Sequence, residues 1–296
     1  MQKQKGLLVN FINKNIVIKV LDYIFFTRPV LFFPAITLLL LSSNGELFSV
    51  WELFSYINIL ASSYILNQIY DIENDKLNNK NYHLSKGIIS LKEGCFLFFI
   101  SSLFVFVYSI SFYIFLVKLF LYISIVLFYN LPYFDWKGRP FLTLLSSFLG
   151  GSLTYLLGVD LTCQDFSIIN FINYGNIIVV GSILTMIPDI EGDKICGKNS
   201  FAVHCGVERS LIVGNILSVI GIFLSLLSSD IFISSAFLLT IILNISRVAP
   251  DKSAKILILT LTFKAIYLYS VYTVPIALVF IIGRYYYKER FGIKYP

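Results

Sequence analysis

The stretch "FSYINILASSYILNQIYDIENDK", residues 54–76, decides how this chain is read. Its first half is almost wholly apolar, with the composition of a helix crossing a bilayer. Then Asp71, Glu73 and Asp75 arrive within five residues. Asn67, Asp71 and Asp75 are spaced i, i+4, i+8, so a helix carries them on one stripe while Glu73 points away. Like charges one turn apart repel, and near a bilayer they also lose hydration, so the stripe calls for a compensating partner. A second pair, Asp189 and Asp193 in "MIPDIEGDK" (186–194), repeats the i, i+4 spacing at the end of another apolar run.

The composition sets the class. The chain is 57% hydrophobic and 14% charged, where a soluble domain carries about 25% charged residues. Its apolar blocks are too long for barrel strands, so the expected fold is all-α and integral to a membrane. The spacing predicts nine transmembrane helices in one bundle, a single domain over 1–296 with a polar or amphipathic segment at 1–23. The spans fall near 24–43, 50–70, 94–116, 118–131, 141–158, 174–190, 209–228, 231–246 and 255–283. Cap loops are expected after spans 2 and 6, and a tight hairpin at Val117–Lys118.

Most basic residues fall on one side if the N-terminus and both acidic motifs are cytoplasmic. Lys118 stands alone on the other side, with Glu46, Asp160, Asp165 and Asp230. The tail, with Arg284, Lys288, Arg290 and Lys294, breaks the rule on a nine-span count. No cleavable signal peptide is expected, because the first 23 residues lack an apolar core followed by a small-residue cleavage site. The net charge of +6 is spread thinly, with no dense basic block, which argues against a nucleic-acid partner. The four cysteines show no C-x-x-C spacing and read as free thiols.

Two acidic stripes on one side of a membrane point to a hard divalent cation. Mg²⁺ prefers oxygen ligands and commonly joins one or two carboxylates to substrate phosphate oxygens. The stripes therefore predict a site for Mg²⁺ and a diphosphate; the bland alternative is solvated acids capping two helix ends.

These residues resemble the UbiA superfamily of intramembrane prenyltransferases. Asn67, Asp71 and Asp75 match its N-x-x-x-D-x-x-x-D motif, and Asp189 and Asp193 its D-x-x-x-D motif. "FYNLPYFDWKGR" (128–139) is similar to the family's Tyr-Ser/Asn-x-Pro…Lys loop, and Thr27-Arg28-Pro29 to its first-span motif. The matches run from Arg28 to about Gly206. "PDIEGDK" looks more like the homogentisate, chlorophyll and archaeal lipid branches than the 4-hydroxybenzoate branch, and "RPVLFFPA" lacks the latter's small glycine. Another departure is "NNKNYHLSKG" (78–87), where the family carries an Arg- and Pro-rich stretch; Lys80 or Lys86 would substitute for the missing cation.

The resemblance implies transfer of an isoprenyl group from a polyprenyl diphosphate to an aromatic or lipid acceptor among membrane lipids. Asp71, Asp75, Asp189 and Asp193 would hold Mg²⁺, with Asn67 orienting it. Lys137, Lys80, Lys194 and Arg28 would neutralise diphosphate. Tyr70, Tyr129 and Tyr133 are candidates to shield an allylic cation. Gly150 and Gly151 either let helices pack closely or leave room for a chain. A terpene cyclase on the same scaffold is an alternative. So is a cation transporter, which predicts acids at the bilayer midplane rather than at span ends.

Overall fold

The structure, a computed structural model, describes residues 16–43, 49–77, 82–110, 113–161 and 165–293. Among them every regular element is helical. Lys80 lies outside the described residues, as do Cys163 and Glu46.

Helix α1 covers residues 16–26 and α2 Phe33–Ser42; the two form one bent pair at 57°. Pro29 has no N–H to continue the first helix, and a single 3₁₀ turn, Pro29–Leu31, follows Arg28. Arg28 takes the left-handed conformation (φ 57°), which costs a non-glycine residue about 1 kcal/mol or more. Its neighbours fix the kink from three sides. Gln68 Nε2 donates to the Phe26 carbonyl at 2.6 Å, the Tyr287 hydroxyl to that of Phe25 at 3.0 Å, and the Tyr64 hydroxyl to that of Leu31 at 3.3 Å.

Helix α3 (Val50–Tyr70) opens with a capping box: Ser49 accepts from the Glu52 amide, and the Ser49 amide donates to Glu52 Oε2 at 2.6 Å. It ends at Asp71, and a short α4 (Ile72–Leu77) continues after one turn residue, with Asp75 N–H bonded to Asp71 O at 2.7 Å. The stripe of Asn67, Asp71 and Asp75 thus survives the break. A four-residue α5 (Tyr82–Ser85) follows, then α6 (Leu91–Ile110) and α7 (Tyr113–Asn130). Val117 and Lys118 lie inside α7, which corrects the expected hairpin there. The lysine is accommodated because its Nζ reaches the Leu156 carbonyl at 3.4 Å.

The centre is built by α8 (Pro140–Leu161) and α9 (Ile168–Met186), flanked by α12 (Val207–Leu227), α13 (Ile231–Ile245) and α14 (Pro250–Leu268). Leu38 of α2 shares one buried cluster with Tyr155, Ile177, Phe237 and Leu261 of α8, α9, α13 and α14. After α9, a 3₁₀ turn at Ile187–Asp189 leads into the short α10 (Ile190–Ile195) and α11 (Phe201–Cys205). Among the described residues, three helices, Pro140–Val159, Ile168–Ile195 and Val207–Leu227, can each cross a bilayer by length and composition; the bent α1–α2 pair would be a fourth. Large apolar side chains such as Phe120, Val219, Phe223 and Phe263 face outward, as a lipid-facing surface requires. The chain is an all-α membrane protein, although the expected count of nine spans is not established by that criterion.

One span is plainly two helices. Residues 255–283 break at Tyr269, where α14 gives way to α15 (Ser270–Phe291). Thr262 meets Thr37 and Tyr269 meets Ser43, so α14 runs alongside α2. Phe280 then lies by Phe33, Gly283 by Val30, and Tyr287 by Phe25, so α15 runs back. The Tyr269 hydroxyl, 2.6 Å from Ser43 Oγ, anchors the reversal. Arg284, Lys288 and Arg290 consequently sit at the same end as Arg28 and the acidic motifs, and the basic tail ceases to be an exception.

Candidate active site

The end of α3 meets the loop after α7. Asn67 Nδ2 donates to Asp71 Oδ2 and to Asn130 Oδ1, both at 2.9 Å. Asn130 is buried and anchored on the Val126 carbonyl at 2.9 Å. Lys137 Nζ donates to Asp71 Oδ1. Local chemistry places that lysine. Asp135 takes a left-handed φ of 44° and caps the 3₁₀ turn Trp136–Gly138 by accepting from the Gly138 amide at 3.2 Å. Thr143 Oγ1 donates within the same loop, to the carbonyls of Trp136 at 2.9 Å and Lys137 at 3.1 Å.

Two further pairs complete the polar end. Arg28, at the α1–α2 kink, stands 3.7 Å from Asp75, with both side chains largely buried. Lys198 Nζ is 3.5 Å from Asp193 Oδ1. The turn ending α10 makes this contact: Gly197 adopts φ 70°, and Lys198 N–H returns to the Asp193 carbonyl at 2.8 Å. Burial alone would lower the Lys198 ammonium, but the Tyr129 phenol and the Asp193 and Asp71 carboxylates outweigh it and hold it above its ordinary value. Lys198 thus feels one acid from each motif, and Tyr129 lies within the field of all three charges.

Asn67, Asp71 and Lys137 touch; Asp75 pairs with Arg28, and Asp193 with Lys198. Asp189 lies at the exposed end of the 3₁₀ turn. Lys194 is exposed. Tyr70 and Tyr133 are 41% and 88% exposed, which leaves Tyr129 as the enclosed tyrosine of the three. Glu73 pairs outward with Lys76 at 3.1 Å, as its helical phase requires. Sequence reasoning missed Lys198 and Asn130. The glycine before Lys198 was the available signal, because a C-terminal glycine folds the next residue back over the last turn.

Below the polar end, a cavity of about 370 Å³ runs between α2, α3, α7 and α8, in the size range of ligand pockets. Asn67, Asn130 and Tyr129 stand at its mouth, and Leu60, Tyr122 and Gly150 line its walls. Thr154 closes the far end, its hydroxyl 2.9 Å from that of the fully buried Tyr56. The two glycines of α8 divide the roles left open by sequence. A Cβ on Gly150 would meet nothing within 4 Å, so this residue gives space to the cavity. A Cβ on Gly151 would overlap the Tyr174 carbonyl and lie 2.9 Å from Ile178 Cγ1, so this one lets α8 approach α9.

Among the described residues no three acidic, His or Cys groups converge tightly enough to chelate a metal unaided. The donor set is nonetheless hard oxygen throughout, carboxylates with an amide. That fits Mg²⁺ sharing its coordination with phosphate oxygens, and the three cations beside the acids fit the phosphate.

A helical membrane bundle with paired carboxylates and cations over an apolar cavity defines a narrow class. Residues 31–254 match the UbiA prenyltransferase family, and the chain belongs to that family. It is 30% identical over 198 residues to the chloroplastic 2-acyl-4-prenylphloroglucinol 6-prenyltransferase of Humulus lupulus, covering 59% of this chain and 48% of that one. It is 29% identical over 170 residues to the digeranylgeranylglyceryl phosphate synthase of Sulfurisphaera tokodaii, covering 55% and 59%. The matches thus span about half the length of these relatives. The fold is similar to that of a UbiA homolog from Archaeoglobus fulgidus bound to GPP and Mg²⁺, with a TM-score of 0.71, 20% identity, and coverage of 84% of this chain and 99% of the other. It is also similar to the apo structure of a UbiA homolog from Aeropyrum pernix K1, with a TM-score of 0.61, 16% identity, and coverage of 82% and 98%.

Proposed function

We propose that the protein transfers an isoprenyl group from a prenyl diphosphate to an aromatic or lipid acceptor at this site. The observation that carries the reading is the junction of an apolar cavity with Lys137, Arg28 and Lys198, each beside a motif carboxylate. The cavity takes the hydrocarbon chain, and the three cations receive the diphosphate as its C–O bond breaks and negative charge grows on the leaving oxygens. Asp71, Asp75, Asp189 and Asp193, with Asn67 orienting, are the residues that would hold Mg²⁺; bound there, it would act as a Lewis acid on those oxygens. Tyr129 is enclosed beside the cluster and presents a π face to an allylic cation. The acceptor's nucleophilic atom then attacks the prenyl C1, and its proton is lost. Basic residues gathered at this end argue that it faces the cytoplasm.

The test uses membranes containing the protein, Mg²⁺, an acceptor panel and radiolabelled dimethylallyl, geranyl, farnesyl and geranylgeranyl diphosphates. Diphosphate release that EDTA and Asp71→Ala abolish supports the reading. Normal turnover in the Asp71→Ala, Asp189→Ala double variant refutes the metal assignment. Release without any acceptor, yielding a cyclic hydrocarbon, would identify a terpene cyclase instead.

A further inference from the structure

A second polar cluster lies behind the site, where α15 returns against α1. Asp22 is 1% exposed, yet it carries a full set of partners. Arg290 Nε donates to its Oδ1 and Nη2 to its Oδ2, each at 3.1 Å, and the Tyr286 hydroxyl donates to Oδ1. His83 Nε2 lies 3.0 Å from that same hydroxyl, and His83 is 2% exposed. Rings pack the cluster: Phe25 stacks on Tyr286 at 4.3 Å, and Phe291 stands edge-on to His83 at 5.2 Å.

The cluster joins three pieces of chain that flank the site. Asp22 sits on α1, six residues before Arg28. His83 sits on α5, in the segment following Asp75, and its carbonyl accepts from Ile88 at 2.9 Å and Ile89 at 3.1 Å, closing the loop into α6. Tyr286 and Arg290 sit on α15, whose Tyr287 hydroxyl also holds the Phe25 carbonyl beside the kink. Arg28 and Asp75, the facing pair, are thus braced through one buried carboxylate. Bulk packing alone would be served by apolar residues, because burying a charge is costly unless its hydrogen bonds are specific. A bidentate arginine fixes orientation as well as distance.

We propose that Asp22, Arg290, Tyr286 and His83 form a positioning network that sets Arg28 and the turn from His83 to Ile89 for the diphosphate end of the substrate. This rests on the reading that Arg28 receives a phosphate. Tyr286→Phe is the cleanest test, because it keeps the ring stack and removes only the hydroxyl. Kinetics are measured with geranyl diphosphate and the best acceptor, alongside hydrogen exchange over residues 82–89. The expected result is about a tenfold rise in KM for geranyl diphosphate, the scale of one or two lost hydrogen bonds, with acceptor KM unchanged and faster exchange over 82–89. Arg290→Lys should restore part of what Arg290→Gln loses. Unchanged exchange in Tyr286→Phe and Arg290→Gln overturns the network, even if no prenyl diphosphate is turned over. Faster exchange with both KM values moving equally overturns the positioning role. Failure of wild-type protein to release diphosphate refutes the catalytic reading and the positioning role together, while exchange still reports on the brace itself.

Discussion

Neighbouring glycines in α8 should respond oppositely to the same added methyl group. In Gly151→Ala the new Cβ would overlap the Tyr174 carbonyl, and would lie 2.9 Å from Ile178 Cγ1 and 3.0 Å from Gly175 Cα. Carbon contacts relax at about 3.5 Å or more. The nearest obstacle is the Tyr174 backbone, so a rotamer change at Ile178 does not relieve the overlap and α8 must move off α9. Overpacking of this kind costs about 3 kcal/mol at its upper end, offset by about 1 kcal/mol of helix propensity gained from glycine. A net loss of about 2 kcal/mol is expected for Gly151→Ala. Gly150→Ala has the same propensity gain and no contact within 4 Å, so it should hold or raise stability. Thermal unfolding of the two purified variants in detergent measures this; Gly150→Ala melting below Gly151→Ala would refute the division of roles. Depth can be tested at the same position. From Asn67 to Leu60 the cavity follows seven residues of α3, a rise of about 10 Å. Extended chains advance about 1.2 Å per bond, so this length takes about two isoprene units. Gly150 lies midway on α8, between Ser146 and Thr154. Gly150→Leu should therefore spare dimethylallyl diphosphate and reduce geranyl turnover at least about tenfold. Equal loss with both substrates would show that the chain does not pass Gly150.

Other expectations follow from single contacts. Lys137→Met removes the cation on Asp71, and should lower kcat about 10²- to 10³-fold, as loss of one transition-state charge partner does; steady-state kinetics with geranyl diphosphate would measure it, and Lys198→Met should act in the same direction. Arg28→Gly removes a cation from the site but suits the left-handed φ of 57°, so it should raise the KM for diphosphate while leaving the melting temperature within a degree or two. His83 is held down to about 4, chiefly by burial, with Arg28 and Arg290 assisting and Asp22 opposing. Its folded value lies below its unfolded one, so its contribution is present above pH 6.5 and is lost as pH falls from there toward 4, by up to about 3 kcal/mol. Melting curves at pH 7.5, 6 and 5 should show this loss in the wild type and less of it in His83→Gln.

The first half of the site was legible because its signals are local. Ser49 and Glu52 mark the start of α3, an apolar run carries it, and helical phase alone separates Glu73 from Asp71 and Asp75. Lys198 was illegible to charge counting because it reaches Asp193 only after Gly197 reverses the chain, whereas the adjacent Lys194 points out. The break at Tyr269 sits within apolar sequence, with no glycine or proline beside it; it depends on Ser43, more than two hundred residues away. Lys118 looked like a boundary because a charge in an apolar run usually is one. The Leu156 carbonyl on another helix helps to make it tolerable inside α7.

The pairing of acids with cations bears on how the site fills. Asp71 pairs with Lys137, Asp75 with Arg28 and Asp193 with Lys198. Lys137 has three N–H donors but one charge, which Asp71 and a phosphate oxygen would share. On the proposed reading, a divalent ion arriving alone would have to evict a lysine, and a diphosphate arriving alone would strip a carboxylate of its counter-charge. Arriving together, they exchange partners with almost no change in local charge. Metal and diphosphate should therefore strengthen one another's affinity, by the same factor in either order of addition.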